Sequence, residues 1–114
     1  MTPTPYVPDR GDIVWLQFNP QSGHEQAGYR PALVLSPVTY NERVGLMLCC
    51  PITSRIKGYP FEVEIKAGAR IKGVVLADQV KSLDWKVRKA RKEAKTTAGV
   101  IHKVLAKLHT LLSY

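Results

Sequence analysis

A chain of 114 residues, 45% of them hydrophobic, fits one domain with its own core and needs neither disulfides nor a structural metal. Its apolar runs fall far short of the roughly 20 residues a membrane span requires, and MTPTPYVPDRGD lacks the parts of a secretory signal, so a soluble cytoplasmic protein is expected. Seventeen Lys and Arg against nine Asp and Glu leave a formal +8, which points to an anionic partner: nucleic acid, an acidic protein segment or a membrane surface.

The first two-thirds reads as strands and turns. Asp12 to Phe18 (DIVWLQF) is a strand bounded by Gly11 and Asn19-Pro20, and Pro31 to Ser36 is a second, apolar enough to be buried on both faces. Gly45 to Cys50 (GLMLCC) is a third, placing the side chains of Cys49 and Cys50 on opposite faces as small apolar groups with free thiols. Phe61, Val63 and Ile65 alternate with Glu62, Glu64 and Lys66, the pattern of a strand with one dry and one wet face. Gly73 to Ala77 (GVVLA) is a further strand, and Lys86 to Lys92 (KVRKARK) is read as a last, exposed one. From Ile101 the apolar positions Ile101, Val104, Leu105, Leu108, Leu111 and Leu112 follow helical spacing, with Thr96 or Thr97 as the cap. His102 and His109 fall at the edge of that stripe, without Cys or Asp neighbours at metal-ligand spacing, and no metal site is expected. Short strands and one terminal helix without βαβ alternation predict a mainly β domain over residues 1–114, a compact barrel or a strongly bent sheet.

Three loops carry polar groups that turn geometry does not require. The first holds His24, Glu25, Gln26, Tyr29 and Arg30; the second runs from Pro51 through Thr53, Ser54 and Arg55 to Lys57 and Tyr59; the third is Asp78 to Ser82. Loops leaving alternate strands of an antiparallel barrel gather at one end, which would bring Glu25, Arg30, Thr53 and Gln79 together. An Arg offers a planar fork of donors that stays charged, Thr and Gln add neutral donors, and Glu can accept a proton. Such a set suits a pentacoordinate phosphorus centre beside a base.

Five stretches together carry a resemblance: Gly11 to Trp15, the run GHEQAGYRPALVLS from Gly23 to Ser36, Pro51 to Ser54, Lys57 to Val63, and Gly73 to Trp85 with its DQVKS. In order and spacing they resemble the MazF/PemK family of bacterial toxins, the MazF branch above all, over nearly the whole chain. The resemblance implies an SH3-like antiparallel β-barrel with a C-terminal helix, the fold shared by CcdB, MazF and Kid toxins, assembled as a homodimer. It implies a metal-independent endoribonuclease, without cofactor, that cuts single-stranded RNA by attack of the substrate's 2′-OH, leaving a 2′,3′-cyclic phosphate and a 5′-OH. It also implies a cognate MazE-like antitoxin whose acidic, flexible tail covers the same surface, and no membrane partner.

Carried over by position, the resemblance makes Arg30 the stabiliser of the charged phosphorane or the proton donor, Thr53 a hydrogen-bond partner of the scissile phosphate, and Glu25 the group that orients or deprotonates the 2′-OH. Gln26, His24, Tyr29, Ser54, Lys57, Gln79 and Lys81 become RNA contacts. Where some relatives have His before the Arg-Pro pair, this chain has Tyr29, so Glu25, Tyr29 and His24 all stand as proton carriers. A gyrase-poisoning toxin of the same fold and a catalytically silent RNA- or antitoxin-binding barrel are the competing readings.

Overall fold

The computed structural model describes residues 5–18 and 28–113. Its strands are β1 (Asp12–Gln17), β2 (Tyr29–Val34), β3 (Leu46–Thr53), β4 (Glu62–Ala67), β5 (Ile71–Leu76), β6 (Lys81–Asp84) and β7 (Arg91–Lys95). Helix α1 (Val38–Val44) joins β2 to β3, a short 3-10 turn covers Ala77–Gln79, and α2 (Ala98–Leu112) closes the chain. All strand pairings are antiparallel, in the order β4-β5-β3-β2-β1-β7. The long β3 changes partner along its length: Leu46–Cys49 pair with β6, whereas Ile52 and Thr53 pair with β5. That split curls the sheet into a half-barrel, the bent all-antiparallel architecture expected.

Two apolar cores lie on opposite faces of the central strands. One gathers Ile13, Leu33, Leu35, Cys50, Ile52, Val63, Ile65, Val75 and Val104 of α2. The other gathers Val14, Leu16, Phe18, Ala32, Val34, Met47, Cys49, Leu83 and Trp85. Alternation alone produces this split, because successive side chains of a strand point to opposite faces. It accounts for the unbroken apolar run of β2 and for the adjacent free cysteines, one in each core. Burial pushes both thiols up to about 12, so neither is a nucleophile at neutral pH.

Where expected and observed elements differ, side-chain bonds explain the difference. Of the expected strand Lys86–Lys92 only Arg91 and Lys92 belong to one: Asp84 Oδ1 accepts from the Lys86 and Val87 amides at 3.0 and 2.9 Å, an Asx turn that delays β7 until Arg91. Helix α1 carried no local signal, since Pro37 supplies no cap; its first amide, Val38 N, donates to Asp9 Oδ1 at 2.9 Å. Inside this corner Asn41 is fully buried, donating to the Pro8 and Ser36 carbonyls and accepting from Ser36 Oγ and, through its carbonyl, from Trp85 Nε1. Helix α2 is capped by Thr97, whose side chain accepts from Val100 N. Its apolar stripe is only half covered: Val104 is buried, but Leu111 and Leu112 are 50% and 73% exposed. His102 and His109 are both exposed on it. Among the described residues, no helix is long and apolar enough to cross a membrane.

Candidate active site

The register of β2 on β3 sets Ala32 opposite Pro51, so continuing two residues outward brings Arg30 level with Thr53. Both lie where buried sheet gives way to solvent: Ala32 and Ile52 are in the interior, Arg30 is exposed and Thr53 half-buried. Anchoring at one end of a packed strand, Arg30 at the start of β2 and Thr53 at the finish of β3, fixes their Cα positions while leaving the guanidinium and hydroxyl accessible. Thr53 Oγ1 also accepts from the Arg55 amide at 3.1 Å, which orients the hydroxyl oxygen at the point where the chain turns.

Arg30, Thr53 and Ser54 form a ridge between two hollows. The larger, about 530 Å³, is lined on its other sides by Arg55, Lys57, Tyr59, Glu62, Asp78 and Gln79. The smaller, about 210 Å³, is lined by Trp15, Tyr29, Pro31 and Ile52, with Arg70, Ile71 and Lys72 of the β4–β5 hairpin. Of the four residues expected to meet, Glu25, Arg30, Thr53 and Gln79, the last three line the larger hollow, along with Ser54 and Lys57. Lys81 lines neither hollow; it lies on β6 opposite Cys49. Glu25, Gln26 and His24 fall outside the described residues.

Loop 54–61 is held in shape from both ends. Glu62 accepts from the amides of Lys57 and Gly58 at 3.1 and 3.0 Å, one to each carboxylate oxygen. Lys107 of α2 donates to the Pro60 carbonyl at 2.6 Å. Gln79 brings a different feature: its Oε1 is buried, with no hydrogen-bond partner among the described residues. A buried acceptor left unpaired costs stability unless a ligand group completes it.

On the smaller side the aromatics stack. The rings of Trp15 and Tyr29 are 6.1 Å apart and within 15° of parallel, and the Arg91 guanidinium lies 5.9 Å from the Tyr29 ring. Trp15 Nε1 donates to Glu93 Oε1 at 2.9 Å, which fixes the indole against β7. Sequence reasoning passed over Trp15, Arg70 and Lys72 as site residues. Trp15 reads as one more residue of an apolar strand, and the two cations read as ordinary hairpin charges; only the curl of the sheet brings them to the ridge.

The ridge and its motif loops belong to a known kind of protein. The model for the PemK-like, MazF-like toxin of type II toxin–antitoxin systems matches residues 9–112. The chain belongs to this family. The endoribonuclease toxin MazF of Escherichia coli K12 is 49% identical over 107 residues, 94% of this chain and 96% of the relative. The crystal structure of MazF from Deinococcus radiodurans matches with a TM-score of 0.90 at 57% identity, covering 95% of this chain and 98% of that one. A MazE–MazF complex from the same organism matches at 0.84 and 51% identity, covering 96% and 98%. The family and the fold drawn from the motifs are thus both found.

Proposed function

We propose that this member of the MazF endoribonuclease toxins cuts single-stranded RNA across the ridge of Arg30, Thr53 and Ser54, without a metal. The observation that carries the reading is the placement of Arg30 level with Thr53 between two hollows, so that a phosphate on the ridge would have room for a nucleotide on either side. The ribose 2′-OH forms a new O–P bond, the P–O5′ bond breaks, and the products are a 2′,3′-cyclic phosphate and a 5′-OH. Arg30 neutralises charge on the phosphorane oxygens or hands a proton to the leaving oxygen, and Thr53 orients the scissile phosphate. The proton of the 2′-OH goes to Glu25, His24 or Tyr29. Gln79 presents its unpaired acceptor to a base amino group, and Ser54 and Lys57 line the path of the strand.

The partners follow from charge and exposed apolar surface. A net +8 suits both RNA and an acidic antitoxin tail of the MazE kind. The exposed leucines of α2 give an apolar strip that a second copy of the chain would take out of water, consistent with a homodimer.

The test is incubation of single-stranded RNA with excess EDTA and wild type, Arg30→Ala or Thr53→Ala. Wild type is expected to cut, and each variant to lose roughly 100- to 1,000-fold in rate, as for removal of one transition-state donor. Retained RNA binding by the variants would place the loss on the chemical step. The reading is abandoned if wild type leaves RNA intact, or if both variants cut as fast as wild type.

A further inference from the structure

We propose that the smaller hollow is an aromatic seat for a single base next to the scissile phosphate, with Arg70 and Lys72 holding the backbone that leaves it. The inference rests on the groove being an RNA site and adds which side chains grip the strand on that side of the ridge.

Three observations converge on it. First, the hollow shares Arg30, Thr53 and Ser54 with the larger one, so whatever lies in it is continuous with the phosphate position. Second, its walls combine the paired Trp15 and Tyr29 rings with Ile52 and Ile71, surfaces that take a flat, apolar ring face. Third, its charges have one sign. Arg30, Arg70 and Lys72 line it, whereas the larger hollow contains Glu62 and Asp78; behind the ring pair, outside the lining, Arg91 beside Tyr29 and Glu93 on Trp15 Nε1 offset one another. An anionic strand bearing aromatic rings meets all three features at once. At about 210 Å³ the space is below the range of sites for drug-sized ligands, in keeping with one base and not a whole nucleotide chain.

The two hollows therefore read differently. The larger one offers directional polar groups, Gln79 among them, and can discriminate bases by hydrogen bonds. The smaller one offers faces and charge, so it registers whether a base is present more than which base it is.

The experiment uses the full-length protein and an RNA oligonucleotide spanning a mapped cut, made uncleavable by a 2′-deoxy nucleotide at that position. Binding is followed by fluorescence anisotropy with an abasic residue placed in turn on each side of the cut. On one side, base removal is expected to weaken wild-type binding roughly 5- to 150-fold. With Trp15→Leu that same change is expected to cost about twofold or less, while the penalty on the other side is unchanged. Replacing all four bases in turn at the seat is expected to change affinity less than removing the base does. Arg70→Ala with Lys72→Ala, both exposed positions, is expected to weaken binding evenly across sequences and to flatten the salt dependence by about two units of slope. This pair carries the test if Trp15→Leu unfolds the chain by circular dichroism.

Equal abasic penalties in wild type and Trp15→Leu overturn the proposal, as does wild-type salt dependence in the double variant. It is also overturned if the double variant loses affinity for an acidic peptide and not for RNA, which would assign the hollow to a protein partner. Cutting of the all-ribose oligonucleotide is scored separately. Coupling without cutting sinks the nuclease reading and leaves the seat; cutting without coupling sinks the seat and leaves the nuclease.

Discussion

Gly73 on β5 lies against the backbone of Thr53: a Cβ placed at residue 73 would come within 2.1 Å of the Thr53 carbonyl oxygen and 3.0 Å of Ser54 Cα. No side chain fits there unless the end of β3 moves, and backbone cannot swing away as a flexible side chain can. The hydroxyl placed on the ridge by Thr53 thus depends on a hydrogen atom on the residue next to Val74, its partner in β5. Gly73→Ala is expected to destabilise the fold by about 1–3 kcal/mol, as overpacking does. It is also expected to lower kcat more than RNA affinity, because Thr53 shifts. Urea unfolding together with single-turnover cutting checks both.

Glu62 shapes the larger hollow without lying on the ridge. Its two bonds to the loop amides contribute about 1 kcal/mol each. Glu62→Ala is therefore expected to reduce kcat/KM by roughly 5- to 30-fold, mostly through KM. Glu62→Gln keeps one good acceptor and should recover part of the loss. An unchanged KM in the alanine variant would show that the loop needs no such anchor.

Stability should fall at both ends of the pH scale for separate reasons. Burial holds Cys49 and Cys50 at about 12, and burial followed by the bond to Asp12 raises the Tyr6 phenol above its ordinary value near 10. The unfolded chain then releases these protons at lower pH than the native one, so their stabilisation is intact below about pH 8.5 and is lost as pH rises from there toward the folded values. Asp9 behaves oppositely: the Val38 amide that it caps lowers its pKa, so its contribution holds above about pH 4 and fades as pH falls through the folded value. Urea midpoints across pH 3 to 11 measure both limbs. Tyr6→Phe is expected to flatten the alkaline limb and leave the Asp9 contribution in place.

Leu111 and Leu112 lie on the half-covered stripe of α2. If a second copy covers it, Leu111→Glu or Leu112→Glu should weaken self-association roughly tenfold or more, since burying a leucine contributes about 1.5–3 kcal/mol. Sedimentation over a range of concentrations measures this. Wild-type behaviour from both variants would place the interface elsewhere.

Legibility in the sequence followed the range of the forces involved. Strands whose burial is decided by their own alternation, such as Val63 and Ile65 in β4, could be read directly, and so could the helical spacing of α2. Elements decided at a distance could not. Helix α1 takes its cap from Asp9, far back in the chain, and β7 starts late because Asp84 captures two amides before it. The site divides in the same way. Arg30, Thr53 and Gln79 stood out as polar groups with no turn to explain them, whereas Trp15, Arg70 and Lys72 became site residues only through the curvature that β3 imposes by changing partners.

The placement of Cys49 in one core and Cys50 in the other has a bearing on how the toxin fails. The strands bearing Arg30 and Thr53 are a party wall between two interiors, and neither interior can empty without stripping one side of that wall. A half-melted species with a working ridge is therefore not expected. Heat, urea or a destabilising substitution should extinguish cutting and structure in one cooperative step, so a loss of activity that runs ahead of unfolding marks damage at the ridge itself.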